Sequence, residues 1–382
     1  MTSTETDAPR RTTRTRRPGA KILPEHARAH NRALVLQSLF HGGAMSRADL
    51  ARETGLTRVT ISDLVAELIA DGFVVEQGVR EAAGPGKPAI LVDLARDGHR
   101  IVGLDLSGSD LFTGAVLTLD GEIVARHDVA VPAVRGDILP AVIDLARTLV
   151  ADAHAPVLGI GVGTPGVVDA DGVVLAAPGL GWESLELGRI LGDELGVPVL
   201  VANDANAAVL AEHTLGGAGD DIILVKVGRG VGAGLLTGGE PLRGARSAAG
   251  EIGHVTVGTD GGPDCACGKV GCLEAWISVP SLSARIEAGS PAERDGLLRD
   301  AGERLGIALA PIVGALDLSE VILSGPSELL DGTLSSAAAE TVRTRTLATF
   351  HDELQVRMTA QGQDIVLRGA AVMVLSGRLG VS

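Results

Sequence analysis

The first residues of the chain carry apolar side chains at helical spacing. Over residues 27–41 apolar positions recur every three or four residues, which predicts a helix that ends at a Gly-Gly pair. A second, shorter helix should begin after Ser46, because Asp49 stands at the spacing of a capping box and Gly55 is a natural stop. This stretch therefore predicts two helices separated by a short turn.

A third helix should follow, with a polar start and an apolar stripe. Thr57 or its neighbour can cap this helix, and its predicted stripe consists of Val59, Leu64, Leu68 and Ile69. Weakly alternating runs at 73–76 and 89–92 then indicate two strands on either side of the turn-rich segment 84–88.

Two short helices joined by a Gly-containing turn match a helix-turn-helix, in which the start of the second helix reaches base edges. The candidate DNA contacts are Arg58, Thr60 and Ser62 at that start, and Lys87 in the basic turn of a β-wing. A three-helix protein-interaction module or a solvated, charged helix face would share the periodicity. The order of the elements and the local positive charge favour double-stranded DNA as the partner.

Charge is distributed unevenly along the chain. The net charge is −15, yet residues 10–60 contain 11 basic and 3 acidic side chains. A small basic segment joined to a large acidic body suggests a local anion-binding module. Residues 1–20 are rich in Thr and Arg and nearly free of apolar side chains, so we expect them to be disordered, either as a phosphate-contacting arm or as a solvated tail.

The composition argues against a membrane protein. No apolar run approaches the roughly 18–20 residues that span a bilayer, and the N-terminus has no apolar signal core. We therefore expect a cytoplasmic protein without a membrane partner.

From residue 99 the pattern changes to buried strands that end in turns. Strands are predicted at 101–106, 111–119, 122–126, 157–162, 197–201 and 222–227, and helices at 140–151 and 185–195. The 52 glycines are about twice the usual share of roughly 7%, in agreement with many strand-end loops.

Two strand ends carry candidate ligand contacts. Asn203 and Asp204 follow a strand and open a helix, which is where open α/β sheets bind ligands. Asp204 could act as a general base on a sugar hydroxyl or only hydrogen-bond a sugar, and an Asn-Asp pair is also a common helix cap. The Gly-rich segment 228–234 suits a close approach to phosphate, or forms a turn between paired strands.

The three cysteines form a candidate metal site with one histidine. His254, Cys265, Cys267 and Cys272 have the spacing H-x10-C-x-C-x4-C, and one imidazole with three thiolates is a common ligand set for structural Zn2+. Four protein ligands would leave no open position for metal catalysis. The alternative, three buried cysteines and a core histidine, fits poorly with a loop rich in Gly and Asp.

The chain resembles the ROK family (repressor, open reading frame, kinase) in its motifs. These are Val227–Gly234, the run Glu251-Ile252-Gly253-His254, the run C-x-C-G-x-x-G-C-x-E over 265–274, and Asn203-Asp204. The strand–loop–strand around Asp105 resembles the first phosphate loop of actin-like ATPases and sugar kinases, and the N-terminal pattern resembles the winged helix-turn-helix of MarR-like and ROK-type regulators.

The resemblance implies an α/β protein with an actin-like (ribonuclease H-like), two-lobed ATPase and sugar-kinase fold, preceded by an α+β winged helix-turn-helix domain. We expect an arm at 1–24, the DNA-binding domain at 25–97 and the sugar-binding body at 98–382. Within the body, the lobes should span about 98–215 and 216–350, with a C-terminal helix at 366–380 that packs back.

The resemblance also implies the roles of individual residues. A sugar would contact the side chains or loops of Gly163, Asn203, Asp204, Glu251, His254 and Glu274. A structural zinc ion would be held by His254, Cys265, Cys267 and Cys272, so that His254 serves both sites and the metal fixes the loop that carries Glu274.

The nucleotide side departs from the family's kinase pattern. The segment Asp105-Leu106-Ser107-Gly108-Ser109 lacks a Gly and the Thr of D-x-G-G-T, Gly228-Arg229-Gly230 replaces G-T-G, and Pro326 replaces a second Gly after Ser324-Gly325. We therefore expect a sugar-responsive regulator of carbohydrate metabolism, a repressor without enzymatic activity. It should bind a sugar or sugar phosphate and, as a homodimer or tetramer, a palindromic operator. The alternative is an active, glucokinase-like ATP-dependent sugar kinase with an attached DNA-binding domain and Asp204 as its base.

Overall fold

Three helices and a small sheet form an N-terminal unit. The computed structural model describes residues 24–79, 89–258, 261–347 and 354–382. Helices α1, α2 and α3 span Pro24–Gly42, Arg47–Thr54 and Arg58–Ala70. Strands β1 (Met45–Ser46), β2 (Val74–Val79) and β3 (Ile90–Leu94) form an antiparallel sheet in the order β1-β3-β2. The expected arm, up to residue 23, and the turn with Lys87 lie outside the described residues.

Local hydrogen bonds set the ends of α2 and α3 as the sequence predicts. The Ser46 hydroxyl accepts from the Asp49 N–H, and the Asp49 carboxylate accepts from the Ser46 N–H, so the capping box is confirmed. Gly55 ends α2 in the left-handed conformation with a φ of 71°. Thr57 caps α3 by accepting from the Thr60 N–H.

Val59 corrects the predicted apolar stripe of α3. Its side chain is 72% exposed, whereas Ile61, Leu64, Val65 and Leu68 are buried. Val59 precedes Ile61 by two residues, which is about 200° around a helix of 3.6 residues per turn. The prediction was wrong for Val59 because the buried stripe begins at Ile61.

A five-stranded sheet forms the first lobe. Its strands are β4 (Arg100–Asp105), β5 (Leu111–Leu117), β6 (Ile123–Ala130), β7 (Val157–Thr164) and β11 (Val199–Asn203), in the order β6-β5-β4-β7-β11. The first three strands are antiparallel, and β7 and β11 continue parallel to β4. Around the sheet lie α4 (Ile138–Ala151), α5 (Leu187–Leu195) and a small sheet of β8 (Val167–Val168), β9 (Val174–Ala177) and β10 (Trp182–Leu185).

The second lobe repeats this topology. Its strands are β12 (Ile222–Val227), β13 (Val231–Thr237), β14 (Glu240–Pro241), β15 (Glu320–Ser324) and β16 (Gln355–Met358), in the order β14-β13-β12-β15-β16. Again three antiparallel strands precede two strands parallel to the first. The helices of this lobe are α7 (Leu273–Ile277), α8 (Val279–Ala288), α9 (Arg294–Leu316), α10 (Ser327–Leu330) and α11 (Thr333–Arg345). The mixed α/β, two-lobed fold confirms the expected fold class, and β16 extends the second sheet past residue 350.

Two helices link the lobes. Helix α6 (Asp204–Thr214) follows β11, and α12 (Ile365–Leu379) is the C-terminal helix. The two helices touch backbone to backbone, because a Cβ on Gly369 of α12 would lie 1.9 Å from the Ala207 carbonyl oxygen of α6. The glycine is therefore required for this crossing.

A single apolar cluster joins the N-terminal unit to the first lobe. It contains side chains of α1 and α3, of β4 and β5, and of α12, among them Leu36, Leu68, Ile101 and Leu375. The last residue, Ser382, also exchanges backbone–side-chain hydrogen bonds with Gln37 of α1. Because this core is shared, the N-terminal unit packs directly on α12 and the first sheet.

Within the described residues, no helix is both long enough and apolar enough to cross a membrane.

Candidate functional site

Asp204 lies at the junction of the lobes in an ion pair with the second sheet. Its Oδ2 is 2.9 Å from the Lys226 Nζ, and both side chains are mostly shielded from solvent. The same ammonium donates to the Ser107 hydroxyl at 2.9 Å, which in turn donates to Asp105 Oδ1 at 2.6 Å. Asp105 ends β4 and Asp204 begins α6, whereas Lys226 belongs to β12. One ammonium group therefore connects the end of β4 and the start of α6 to the second lobe.

Burial and charge together set the ionisation of this junction. Burial raises the pKa of Asp105, and Asp204 adds to the shift, while Lys226 and hydrogen bonds from Ser107 oppose it. Burial alone would lower the pKa of Lys226, but the carboxylates of Asp204 and Asp105 outweigh this and raise it. Lys226 therefore carries a positive charge at neutral pH.

Asn203 holds a neighbouring loop with both ends of its side chain. Its Oδ1 caps α6 by accepting from the N–H groups of Ala205 and Asn206, and its Nδ2 donates to the Gly166 carbonyl at 2.9 Å. Gly163 is buried in β7, where its carbonyl accepts from Leu106 N–H. Asn203 thus holds the chain after β7, while the Gly163 carbonyl holds the chain that follows β4.

Glu251 and His254 lie in a tight loop against β13. A Cβ on Gly250 would be 1.9 Å from the Ala233 carbonyl, and the φ of Gly250 is 94°, so this close approach needs glycine. The surrounding protein raises the pKa of Glu251 by desolvation; His254 opposes the shift, and the negative charges of Asp204 and Glu274 reinforce it. The predicted residues Asp204, Glu251, His254 and Glu274 therefore share one electrostatic environment.

The donor atoms of His254, Cys265, Cys267 and Cys272 converge in a cluster that could hold a metal ion. All four atoms lie within 4.8 Å of one another. The Cys265 sulfur is 3.7 Å from His254 Nδ1, and the Cys267 and Cys272 sulfurs are 3.7 Å apart. Tetrahedral zinc, with Zn–S bonds of about 2.3 Å, places its ligand atoms about 3.5–3.8 Å apart, so the cluster fits this ion.

The thiol chemistry also favours a cation. Burial and the two neighbouring thiols raise the pKa of Cys272 to about 12. Three thiolates in such proximity repel one another, and a bound divalent cation offsets that repulsion.

Glu274 connects the metal cluster to the turn between β12 and β13. Its Oε2 accepts from the Val231 N–H at 3.0 Å, and its Oε1 lies 3.9 Å from the Cys265 sulfur. Two residues later in α7, the Trp276 ring stacks on the Arg304 guanidinium, 3.7 Å from the ring centroid, and this guanidinium donates to the Val257 carbonyl. The Val231 N–H and the cysteine cluster therefore both hold the Glu274 side chain.

The Gly-rich segment after β12 is a hairpin turn. The Gly228 N–H donates to the Gly230 carbonyl at 2.9 Å, and β12 and β13 pair antiparallel on either side, with Val227 opposite Val231. Arg229 is exposed at its tip. This geometry agrees with the alternative of a turn between paired strands.

At the start of α3, the candidate DNA-contacting side chains differ in their availability. Arg58 and Ser62 are exposed, although the Ser62 hydroxyl donates to the Arg58 carbonyl, and the Thr60 hydroxyl hydrogen-bonds Thr57 in the cap. Of the five arginines in the described span 24–79, the other four form ion pairs, and Arg58 has none among the described residues.

A cavity of about 320 Å³ borders this region on the other side of Asn203. It opens between the β8–β9 hairpin and the β14 region, with Asp169, Arg243 and Ser247 among its lining residues. Asp204, Glu251, His254 and Glu274 are not among the described residues that line it, so it is distinct from the group that these four residues form.

Sequence reasoning missed Lys226 and Ser107. A lysine within the otherwise apolar strand Ile222–Val227 was the available signal, because a charged side chain in a buried strand needs a partner. Only the fold shows that the partner is Asp204 in the other lobe.

Similar proteins cover the chain to different extents. A family model described as the ROK family matches residues 101–376. The xylose repressor of Caldicellulosiruptor bescii is 28% identical over 91% of this chain and 96% of its own length. The structure of a ROK family transcriptional regulator, described as a homologue of E. coli Mlc, superposes with a TM-score of 0.79 at 25% identity, over 93% of this chain and 98% of that one.

A kinase of the same fold matches less of the chain. The ROK family glucokinase of Streptomyces griseus, in complex with glucose and AMPPNP, superposes with a TM-score of 0.63 at 26% identity, over 72% of this chain and 98% of that one. The family model, the regulator and the kinase agree with the motifs and with the two-lobed fold, and the chain belongs to the ROK family.

Proposed function

We propose that this chain is a sugar-responsive transcriptional repressor. The observation that carries the proposal is the shared core that joins the N-terminal unit to α12 and the first lobe. The similar regulator and repressor match 93% and 91% of the chain, whereas the glucokinase matches 72%. Regulation by a ligand requires a coupling free energy between the ligand site and the DNA-binding surface, and a shared core can carry that coupling.

The N-terminal unit is proposed to be a winged helix-turn-helix that binds duplex DNA. Helix α3 would enter the major groove, with Arg58, Thr60 and Ser62 near base edges and Lys87 near a phosphate or the minor groove. The unpaired, exposed Arg58 supports this assignment, because a guanidinium without an acidic partner is free to bind guanine or phosphate. A homodimer on a palindromic operator would place two such helices in successive grooves.

The effector is proposed to be a neutral sugar such as an aldopentose or aldohexose. Asp204, Glu251 and Glu274 are carboxylates, which accept hydrogen bonds from hydroxyl groups and repel phosphate. Names of relatives point to D-xylose and D-glucose as the first sugars to test. The carboxylates thus favour a free sugar over a sugar phosphate.

Zn2+ is the proposed structural metal, held by His254, Cys265, Cys267 and Cys272. With Nδ1 directed at the sulfurs, His254 keeps Nε2 for a sugar hydroxyl. The metal would hold the loop that presents Glu274 and leave no open coordination position.

Signal transfer is proposed to run from α6 through α12 to α1. Asp204 and Asn203 lie at the start of α6, which contacts α12 without intervening side chains at Gly369. A sugar that closes the cleft would move α6, and the shared core would carry this movement to the N-terminal unit. We expect sugar binding to lower the affinity for operator DNA.

A second candidate function is ATP-dependent phosphorylation of the sugar. It is favoured by the position of Asp204 at a strand end in the fold shared with the glucokinase. However, the segments that would bind the nucleotide phosphates, Asp105–Ser109 and Gly228–Gly230, depart from the kinase pattern.

One experiment separates the two functions. Duplex DNA selected from a random library would be titrated with the full-length protein in the absence and presence of D-xylose, D-glucose and N-acetyl-D-glucosamine. The repressor hypothesis expects sequence-specific binding that one sugar weakens at least tenfold, with no effect of that sugar on an Asp204→Asn variant. Steady ATP turnover with a sugar, lost in the same variant, would instead establish the kinase.

A further inference from the structure

Lys226 is a charged residue within a buried strand, and its environment is unusual. Its neighbours in β12 are Ile222, Ile223, Leu224, Val225 and Val227. Burying an ammonium ion costs free energy unless acceptors surround it. Here the acceptors come from the opposite lobe, since Asp204 and Ser107 both bind the Lys226 Nζ at 2.9 Å.

The cluster has one cation for two carboxylates. Asp105 binds the Ser107 hydroxyl and backbone N–H, and its charge acts on both Lys226 and Asp204. Asp105 and Asp204 would repel each other without a positive charge at this place. The β12 lysine supplies that charge from the protein itself.

We propose that Lys226 is a positioning residue for the sugar: its ammonium holds Oδ2 of Asp204, leaves Oδ1 to accept a sugar hydroxyl, and acts as the built-in cation of the junction. This inference rests on the proposed sugar site. An ionised carboxylate has two oxygens that accept hydrogen bonds, so the sugar and the ammonium can share Asp204. A divalent cation seeking both carboxylates would have to displace the ammonium.

Two consequences follow from a cation that belongs to the chain. Sugar affinity should not depend on added Mg2+ or ATP, because no bound ion is needed to orient Asp204. Loss of the ammonium should weaken sugar binding, because Asp204 would then be free to turn away and would repel Asp105.

The first test compares sugar affinities by calorimetry for the full-length protein and three variants. Lys226→Met keeps the length of the side chain without charge, Lys226→Arg keeps the charge, and Arg299→Met removes an exposed charge from the same lobe as a control. With the best-bound of D-xylose, D-glucose and N-acetyl-D-glucosamine, we expect a loss of at least tenfold in Lys226→Met, partial recovery in Lys226→Arg and no change in the control. A Lys226→Met affinity within twofold of wild type, or a wild-type affinity that rises with Mg2+, would overturn the proposal.

If none of these sugars binds, that result counts against the proposed function. A second test of the role of Lys226 does not need a sugar. The melting temperature of each variant is measured between pH 4.5 and 7.5. Deprotonation of Asp105 is already disfavoured by burial, so removing the ammonium should destabilise the protein most at pH 7.5 and less at pH 4.5, where carboxylates take up protons. Adding Asp204→Asn to Lys226→Met removes one of the uncompensated carboxylates, so it should reduce the loss of melting temperature at pH 7.5. If Lys226→Met lowers the melting temperature equally at both pH values, and Asp204→Asn does not change this loss, then Lys226 does not act through its charge.

Discussion

The Ala207 carbonyl of α6 lies only 1.9 Å from the place that a Cβ on residue 369 of α12 would occupy. Two helices in such contact cannot move independently, and α6 begins at the candidate sugar contact Asp204 while α12 ends in the core of the N-terminal unit. The proposed signal from the sugar to the DNA-binding surface therefore passes through this backbone contact between α6 and α12.

Replacing Gly369 with Ala should therefore separate α6 from α12 and destabilise the protein. A methyl group so close to a backbone oxygen forces a shift of the helices, at a cost of about 1–3 kcal/mol or more. Gly296→Ala in α9 is a matched control, because a Cβ there meets nothing within 4 Å and Ala favours a helix by about 1 kcal/mol. Urea unfolding should rank the stabilities Gly296→Ala, wild type, Gly369→Ala. A Gly369→Ala protein as stable as wild type would contradict the contact.

Arg58→Ala should weaken operator binding at least tenfold without changing the melting temperature. The guanidinium is exposed and has no ionic partner among the described residues, so its loss removes a contact to DNA of about 1–3 kcal/mol and nothing from the fold. Arg52→Ala serves as the control, because Arg52 is an exposed arginine nearby that pairs with Asp49. Fluorescence anisotropy with the selected duplex measures both variants, and equal affinities would argue against α3 as the reading helix.

Lys87→Ala tests the wing. If Lys87 contacts a phosphate, the variant should bind all DNA sequences more weakly, and the slope of log affinity against log salt should fall by about one. An unchanged slope would remove Lys87 from the DNA interface.

The sequence predicted elements and caps better than it predicted contacts between them. Ser46, Asp49 and Gly55 act within one turn of chain, so their roles follow from spacing alone. The predicted stripe was wrong at Val59, because this residue lies about 200° around the helix from Ile61, where the buried face begins. Lys226 was missed because its partners, Asp204 and Ser107, belong to another lobe and come together only through the tertiary fold.

The metal site could be predicted because most of its ligands are close together in the sequence. Three of its four donors lie within eight residues, so their convergence depends mainly on one loop. For Asn203 the sequence left a cap and a sugar contact open, and the structure shows the cap together with the bond to Gly166.

Removing the metal should loosen the loop that carries Glu274. We expect about one Zn2+ per chain by mass spectrometry, and a chelator should lower both the melting temperature and the sugar affinity. Trp276 lies four residues after Cys272 and its ring packs beside Gly262 of this loop, so its fluorescence, recorded in a Trp182→Phe background, should change on chelation. Cys267→Ser should mimic chelation, whereas Val270→Ser, at an exposed position of the same loop, should not. Full stability of metal-free protein would refute a structural role.

His99 should make the attachment of the N-terminal unit sensitive to acid. Its ring stacks on Phe73 at 4.2 Å, its Nδ1 is buried without a partner among the described residues, and burial lowers its pKa, with the Gly72 backbone and Asp71 opposing the shift. The unfolded chain therefore binds a proton at a higher pH than the folded one. The contribution of neutral His99 to the folding free energy is complete above the pKa of histidine in the unfolded chain, about 6.5. It is lost as the pH falls through the pKa of His99 in the folded protein. His99→Phe keeps a stacked ring without a titrating group, so the fall in melting temperature between pH 7.5 and 5.0 should be smaller than in wild type. His30→Gln, at an exposed position of α1, should leave that fall unchanged. If His99→Phe loses as much stability on acidification as wild type, another group is responsible.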